Sequence, residues 1–182
     1  DLWLNQTLEH VRKIWIEGHA DPDGHTICAV LTRKQYELLA KRGKQSFLFV
    51  LPLPRGDKGG HLTMVSQIEF PANASQHPLV KNLPIKIAYF SLGEHREATA
   101  KGEAPVPWLE NTFYVDFLDS LDAVFMRGSV QRKFLTLQEA QFLTNATQLF
   151  YFDAKRYELV QEFNHAPQQF DFERVVAAMS SM

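Results

Sequence analysis

The chain lacks several features that would point to a particular class of protein. Its 182 residues include one cysteine, Cys28, so no internal disulfide can form, and the apolar surroundings of Cys28 favour a buried thiol in a reducing compartment. No apolar run approaches the roughly 18 residues of a membrane span. Nineteen Lys and Arg against twenty-one Asp and Glu give a net charge of −2 without a basic cluster. We therefore predict no membrane insertion and no nucleic-acid partner.

What the chain does contain is enough apolar sequence for one core. Hydrophobic residues make up 45% of it, and a chain of this length buries about 70% of the surface that it exposes when unfolded. We predict a single domain over residues 1–182 that needs no metal, cofactor or disulfide. The chain begins at Asp1, without an initiator methionine or a targeting segment, as expected of a processed or trimmed product.

Periodicity predicts two helices in the first quarter of the chain. The first is amphipathic, because its apolar residues recur at steps of four, three and four. A second helix has Thr32 as its cap and is predicted to close at Gly43. The apolar stripe of the first helix consists of Leu4, Leu8, Val11 and Trp15.

The last third of the chain also predicts helices. A capping box from Thr136 to Glu139 opens one of them, because a threonine followed three residues later by glutamate satisfies two free backbone N–H groups. Residues 155–163 predict a second helix. Asp171 can cap a third, whose apolar residues are Phe172, Val175, Val176 and Met179.

Between these helices the hydrophobic period changes to two, which is typical of strands. The first run is apolar on both faces and so predicts a central strand, ended by Pro52 and Pro54. The sequence thus predicts an α+β domain: a mainly antiparallel sheet of about five to six strands flanked by N-terminal and C-terminal helices, with the strand order open. The five runs are residues 47–51, 62–70, 85–89, 113–117 and 123–126.

One segment has metal-ligand character, and it defines an alternative function. Residues 19–25 resemble the Asp-Pro-Asp-Gly segment of phosphoesterases that hold two divalent ions, and a metal-dependent phosphoesterase would use His19, Asp21, Asp23 and His25 as ligands. The chain contains no Asp-His-His triplet, which such sites also need. Pro, Asp and Gly equally suit a turn. The interpretation that we favour is a turn, with no catalytic residues and no metal.

Two aromatic-rich blocks, Phe49–Arg55 and Phe134–Tyr151, carry a resemblance to a known family, supported by Leu159–Asn164, Ile27–Leu31 and Tyr36–Leu39. They resemble the mitochondrial ATP synthase (F1-ATPase) assembly factor family, which chaperones the catalytic β subunit. The resemblance implies a non-enzymatic protein of the mitochondrial matrix that binds the unassembled β subunit transiently, prevents its aggregation and hands it to the α subunit. We expect the free chain to be a monomer. A permanent structural subunit of a larger complex is a third hypothesis.

Two surfaces are candidates for contact with a client. The first helix can dock into a groove of a partner, although a lid on the sheet explains its apolar stripe equally well. Apolar residues after the first strand can form an exposed lip, although packing under a helix is more typical of such residues. The predicted partner-binding residues are Leu4, Leu8, Trp15, Leu51, Leu53, Pro54 and Arg55.

Overall fold

Helices flank a run of β-strands, which confirms the predicted α+β class. The computed structural model describes residues 7–19, 24–56, 60–72 and 83–179. Its strands are β1 (Thr26–Thr32), β2 (Leu48–Pro54), β3 (His61–Glu69), β4 (Lys86–Ser91), β5 (Leu109–Tyr114) and β6 (Ala123–Val130). Its helices are α1 (Leu8–Gly18), α2 (Arg33–Gln45), α3 (Leu92–Lys101), α4 (Leu118–Leu121), α5 (Leu137–Phe152), α6 (Ala154–His165) and α7 (Phe172–Met179).

The six strands form one antiparallel sheet in the order β1-β6-β5-β4-β3-β2. The predicted central position of β2 is wrong, because β2 is an edge strand. Its burial comes from helices instead of neighbouring strands: α5, α6 and α7 all contact it. On one face Phe49 packs against Phe150 and Phe163, and on the other Val50 is only 5% exposed. The strand also continues through Pro52 to Pro54, where it was predicted to stop.

Helices cover both faces of the sheet, and the larger core lies on one of them. There α2, α5, α6 and α7 bury side chains such as Tyr36, Leu143 and Val160 against the strands. On the opposite face Val11 of α1 packs against Phe125 of β6 in a smaller cluster. No helix among the described residues combines the length and the apolar character needed to cross a bilayer.

The helix starts follow the local sequence signals. Thr32 and Thr136 each accept a hydrogen bond from the third helical N–H, which confirms the predicted cap at Thr32 and the predicted capping box at Thr136. Gln35 completes a capping box at Thr32 as well, which was not predicted. Gly43 does not close α2, which continues to Gln45. It instead permits close packing, because a Cβ atom at this position would lie 2.8 Å from the Cδ1 atom of Ile68.

Candidate partner-binding surface

Helix α1 is held on the sheet by its inner face. Val11 is buried, and the indole N–H of Trp15 donates to the carbonyl of Met126 (3.3 Å). The Trp15 ring lies 5.4 Å from that of Tyr114 and 5.2 Å from that of Phe125, between centroids. Trp15 therefore anchors the helix, which is the lid-like role that the apolar stripe also allows.

Helix α1 also carries apolar side chains that are partly exposed, at its start and on its two flanks. Leu8, a predicted partner-binding residue, is 39% exposed, and Ile14 and Ile16 are 37% and 42% exposed. The two isoleucines were missed by sequence analysis because they lie off the apolar stripe. The contribution of Leu8 and Trp15 to partner binding stays a prediction, and Leu4 lies outside the described residues.

The end of β2 presents little of the predicted apolar lip. Leu51 and Leu53 are fully buried in the main core, as is typical of apolar residues at strand ends. Pro54 is exposed. Of these three predicted residues, only Pro54 can therefore meet a partner in this conformation.

Arg55 is occupied by contacts within the chain. Its Nε donates to Glu139 Oε1 (2.8 Å), its Nη2 donates to the Phe134 carbonyl, and its guanidinium carbon lies 5.8 Å from the centre of the Trp108 ring. Burial alone would raise the pKa of the Glu139 carboxyl, but hydrogen bonds from Arg55 and Thr136 hold that pKa below its usual value. Arg55 thus joins the end of β2 to the start of α5.

The proposed phosphoesterase ligands cannot be assembled from the described residues. Asp21 and Asp23 lie outside them. The ring of His19 lies 4.0 Å from that of Trp15, and its Nδ1 donates to the Trp15 carbonyl (2.8 Å). Within the described ranges, no group of three or more His, Cys, Asp or Glu side chains could hold a metal ion. His19 therefore serves here as part of the end of α1.

A serine and a histidine meet in a contact that sequence analysis missed. Ser46 Oγ lies 3.1 Å from His165 Nε2, although 119 residues separate the two. The hydroxyl of Tyr157 also donates to Ser46 Oγ (3.3 Å), and that of Tyr151 donates to the Ser46 carbonyl (2.6 Å). Because Ser46 is fully buried under these rings, a substrate cannot reach its hydroxyl. The group ties the end of α2 to α5 and α6.

The outer edge of β2 is closed by side chains. The carbonyl of Phe47 accepts a bond from β3, so the N–H and C=O of the next residue, Leu48, point away from the sheet. Asn164 binds both: the Leu48 N–H donates to its Oδ1 (3.2 Å), and its Nδ2 donates to the Leu48 carbonyl (2.6 Å). Two further outward positions are Pro52 and Pro54, which have no N–H to offer.

The outer edge of β1 is open within the described part of the chain. The Val130 N–H donates to the His25 carbonyl (2.8 Å), which fixes the alternation of the β1–β6 ladder. Residues 27, 29 and 31 bond to β6, and the residues between them turn their backbone groups outward. No hydrogen bond joins these outward groups to another described segment. The outward-facing residues are Thr26, Cys28 and Val30.

The architecture is that of an antiparallel sheet between helical layers, with apolar side chains exposed on α1 and with one edge strand that pairs with no other strand among residues 7–19, 24–56, 60–72 and 83–179. The chain belongs to the ATP11 protein family, whose model matches residues 1–176. The family resemblance seen in the two aromatic-rich blocks is thereby confirmed.

Relatives from several organisms carry the same kind of name. The chain is 24% identical over 176 residues to "ATP synthase mitochondrial F1 complex assembly factor 1" of Danio rerio, covering 93% of this chain and 50% of that protein. The Homo sapiens protein of the same name is 26% identical over 176 residues (96% and 47%). "Protein atp11, mitochondrial" of Schizosaccharomyces pombe is 29% identical over 141 residues (78% and 44%). The chain spans about half the length of these relatives.

Proposed function

We propose that this domain is an assembly factor for the catalytic head of mitochondrial ATP synthase. In this proposal it binds the unassembled β subunit, prevents its aggregation and hands it to the α subunit in the matrix. The observation that carries the proposal is the family match over residues 1–176, together with relatives named as F1 complex assembly factors. Binding of the β subunit in particular is what the family resemblance implies.

The physical need for such a protein follows from subunit assembly. A subunit that has not met its partner exposes apolar surface, and large exposed apolar patches drive aggregation. A protein that covers the patch must also release it. A micromolar complex corresponds to about −8 kcal/mol, and each further 1.4 kcal/mol gives the α subunit about a tenfold preference. Stronger binding by the α subunit is then sufficient for transfer, so the proposal includes no catalytic step.

The exposed apolar side chains of α1 are the surface that we assign to the client. Leu8 is partly exposed at the start of the helix, and Ile14 and Ile16 are partly exposed on its two flanks. Trp15 and Val11 hold the helix on the sheet. Apolar side chains on a fixed helix form an interface without a large ordering cost. We further propose that the free chain is monomeric.

The test is protection of the isolated client. An equimolar amount of this chain should suppress light scattering when purified F1 β subunit is diluted from denaturant, and the two should elute together in size-exclusion chromatography. The variants Leu8→Ser and Ile16→Ser should weaken the protection, whereas Val106→Ser, at a residue that is 70% exposed and distant in sequence from α1, should not. Unchanged scattering at equimolar wild-type chain would refute the proposed function.

A further inference from the structure

The β1 edge has none of the features that usually prevent strand pairing. Exposed edges in natural proteins carry lysine, proline or bulges, because unpaired backbone groups attract other strands. The sequence of β1, Thr-Ile-Cys-Ala-Val-Leu-Thr, contains no charged residue and no proline, and its seven residues pair regularly with β6. The opposite edge, at β2, has two prolines and the Asn164 side chain. One edge is thus protected and the other is left available.

We propose that β1 is a docking edge that takes an extended segment of the client as a seventh strand. This inference rests on the proposed function. Thr26, Cys28 and Val30 each present one outward N–H and one outward C=O. Their spacing of two residues is the spacing at which a neighbouring antiparallel or parallel strand forms its ladder. The backbone groups therefore define the occupant as a peptide in β conformation.

A cavity next to the edge adds selectivity for side chains. It measures about 420 Å³ and lies between the start of α1 and the end of β1. Its lining includes Leu8 and Val30 together with the charged residues Glu9 and Arg12. Because alternate side chains of a strand point to the same face, one residue of the incoming segment would enter this cavity. We assign that position to an apolar side chain, since Leu8, Val30 and Ala123 supply apolar walls.

The occupant is a client segment and not a second copy of this chain. An interface between two folded proteins typically involves about 20 to 30 residues on each side. The seven residues of β1 fall well below that number. An extended segment can bind to an edge of this length. It forms backbone hydrogen bonds along its whole length and places side chains on both faces of the sheet.

Residue-resolved amide hydrogen exchange of the full wild-type chain tests the proposal, with purified unassembled F1 β subunit as the probe. In the free chain, the amides of Thr26, Cys28 and Val30 should exchange rapidly, whereas those of Ile27 and Ala29 should be protected by β6. Adding the β subunit should slow exchange of the three outward amides by at least about tenfold. The amides of β2 should not change.

A pair of proline variants gives a second readout. Cys28→Pro removes an outward N–H without removing a bond to β6, and Val50→Pro makes the same change on the β2 edge. Cys28→Pro should weaken binding of the β subunit about tenfold, and Val50→Pro should leave the affinity unchanged. Circular dichroism of both variants checks that they fold. If Cys28→Pro does not fold, hydrogen exchange of the wild-type chain decides.

The outcomes separate this inference from the proposed function. A complex whose formation leaves the three outward amides in rapid exchange overturns the docking edge and leaves the proposed function standing. Failure to form any complex overturns both. Protection that appears without the β subunit and increases with the concentration of the chain would make a second copy the occupant, and would likewise overturn the proposal.

Discussion

The two edge strands of the sheet, β1 and β2, differ in what covers their outward backbone N–H and C=O groups. β2 has helices α5, α6 and α7 packed against it, Asn164 binds the outward groups of Leu48, and Pro52 and Pro54 offer no outward N–H. β1 contacts α1, α2 and α5, but its outward backbone groups at alternate residues form no hydrogen bond with another described segment. The difference indicates that individual side chains, such as that of Asn164, block an edge strand. It also indicates that a sheet of this kind can be stable with one edge strand unblocked.

Replacing Phe49 in β2 tests the more heavily packed edge and should have the largest effect. Phe49 is fully buried, with its ring centre 5.0 Å from that of Phe150. Phe49→Ala should lower the free energy of unfolding by about 3 to 5 kcal/mol, because it removes apolar contacts and leaves a cavity. Chemical denaturation measures the change. Phe47→Ala is the matched control, and with its side chain 52% exposed it should cost less than about 1 kcal/mol.

Adding a methyl group to Gly128 of β6 tests how tightly β1 is attached. A Cβ atom at this position would lie 2.4 Å from Asn111 Oδ1 and 2.6 Å from Ile27 Cγ1. Gly128→Ala should therefore destabilise the fold by about 1 to 3 kcal/mol and increase amide exchange in β1. Gly18→Ala is the control, because no side chain or other segment of the described residues lies within 4 Å of the added methyl group, its chain neighbours aside. Equal stability of the two variants would contradict close packing at β1.

Opening the protected edge of β2 should make it resemble β1. Asn164→Ala removes both bonds to Leu48 and one to the Val160 carbonyl (2.8 Å). We expect a loss of about 1 to 3 kcal/mol in unfolding free energy and more rapid exchange of the Leu48 amide. Asn145→Ala on α5, where the side chain is exposed, is the control and should change stability by less than about 0.5 kcal/mol. A Leu48 amide that stays protected would argue against closure by Asn164.

The ion pair at the end of β2 should give the smallest effect, and one that depends on pH. Because the native pKa of Glu139 lies below its ordinary value of 4.5, its contribution is complete above that value and is lost as the pH falls through the lower native pKa. As the pH falls from neutral through the lowered native pKa of Glu139, the wild type should lose more stability than Glu139→Gln. The difference should stay below about 1 kcal/mol, because solvent screens the partly exposed Arg55. Equal pH dependence would contradict the assignment.

The sequence predicted those features of the fold that depend on neighbouring residues, such as helix starts and the change from helices to strands. The cap at Thr32 and the capping box at Thr136 mark helix starts in the structure, as predicted. The α+β class followed from the change of hydrophobic period between terminal helices. β1 was not identified as a strand, because its apolar run lacks a clear alternation and carries no turn signal of its own at its end.

Contacts between distant residues could not be predicted from local patterns. Burial of β2 on both faces indicated a central strand, but helices far along the chain supply that burial. The pairing of Arg55 with Glu139, 84 residues away, was not predicted, and the part of Arg55 in partner binding stays a prediction. The open edge of β1 became visible only with the register of its ladder, since backbone groups leave no pattern in the sequence.

Displacement by the α subunit tests the central claim, that this domain covers the β subunit only until its permanent partner arrives. Fluorescently labelled chain bound to F1 β subunit should be released when purified α subunit is added, and labelled chain should then elute alone in size-exclusion chromatography. Labelled chain that stays with a complex containing both subunits would contradict transient binding and would instead support a permanent structural subunit.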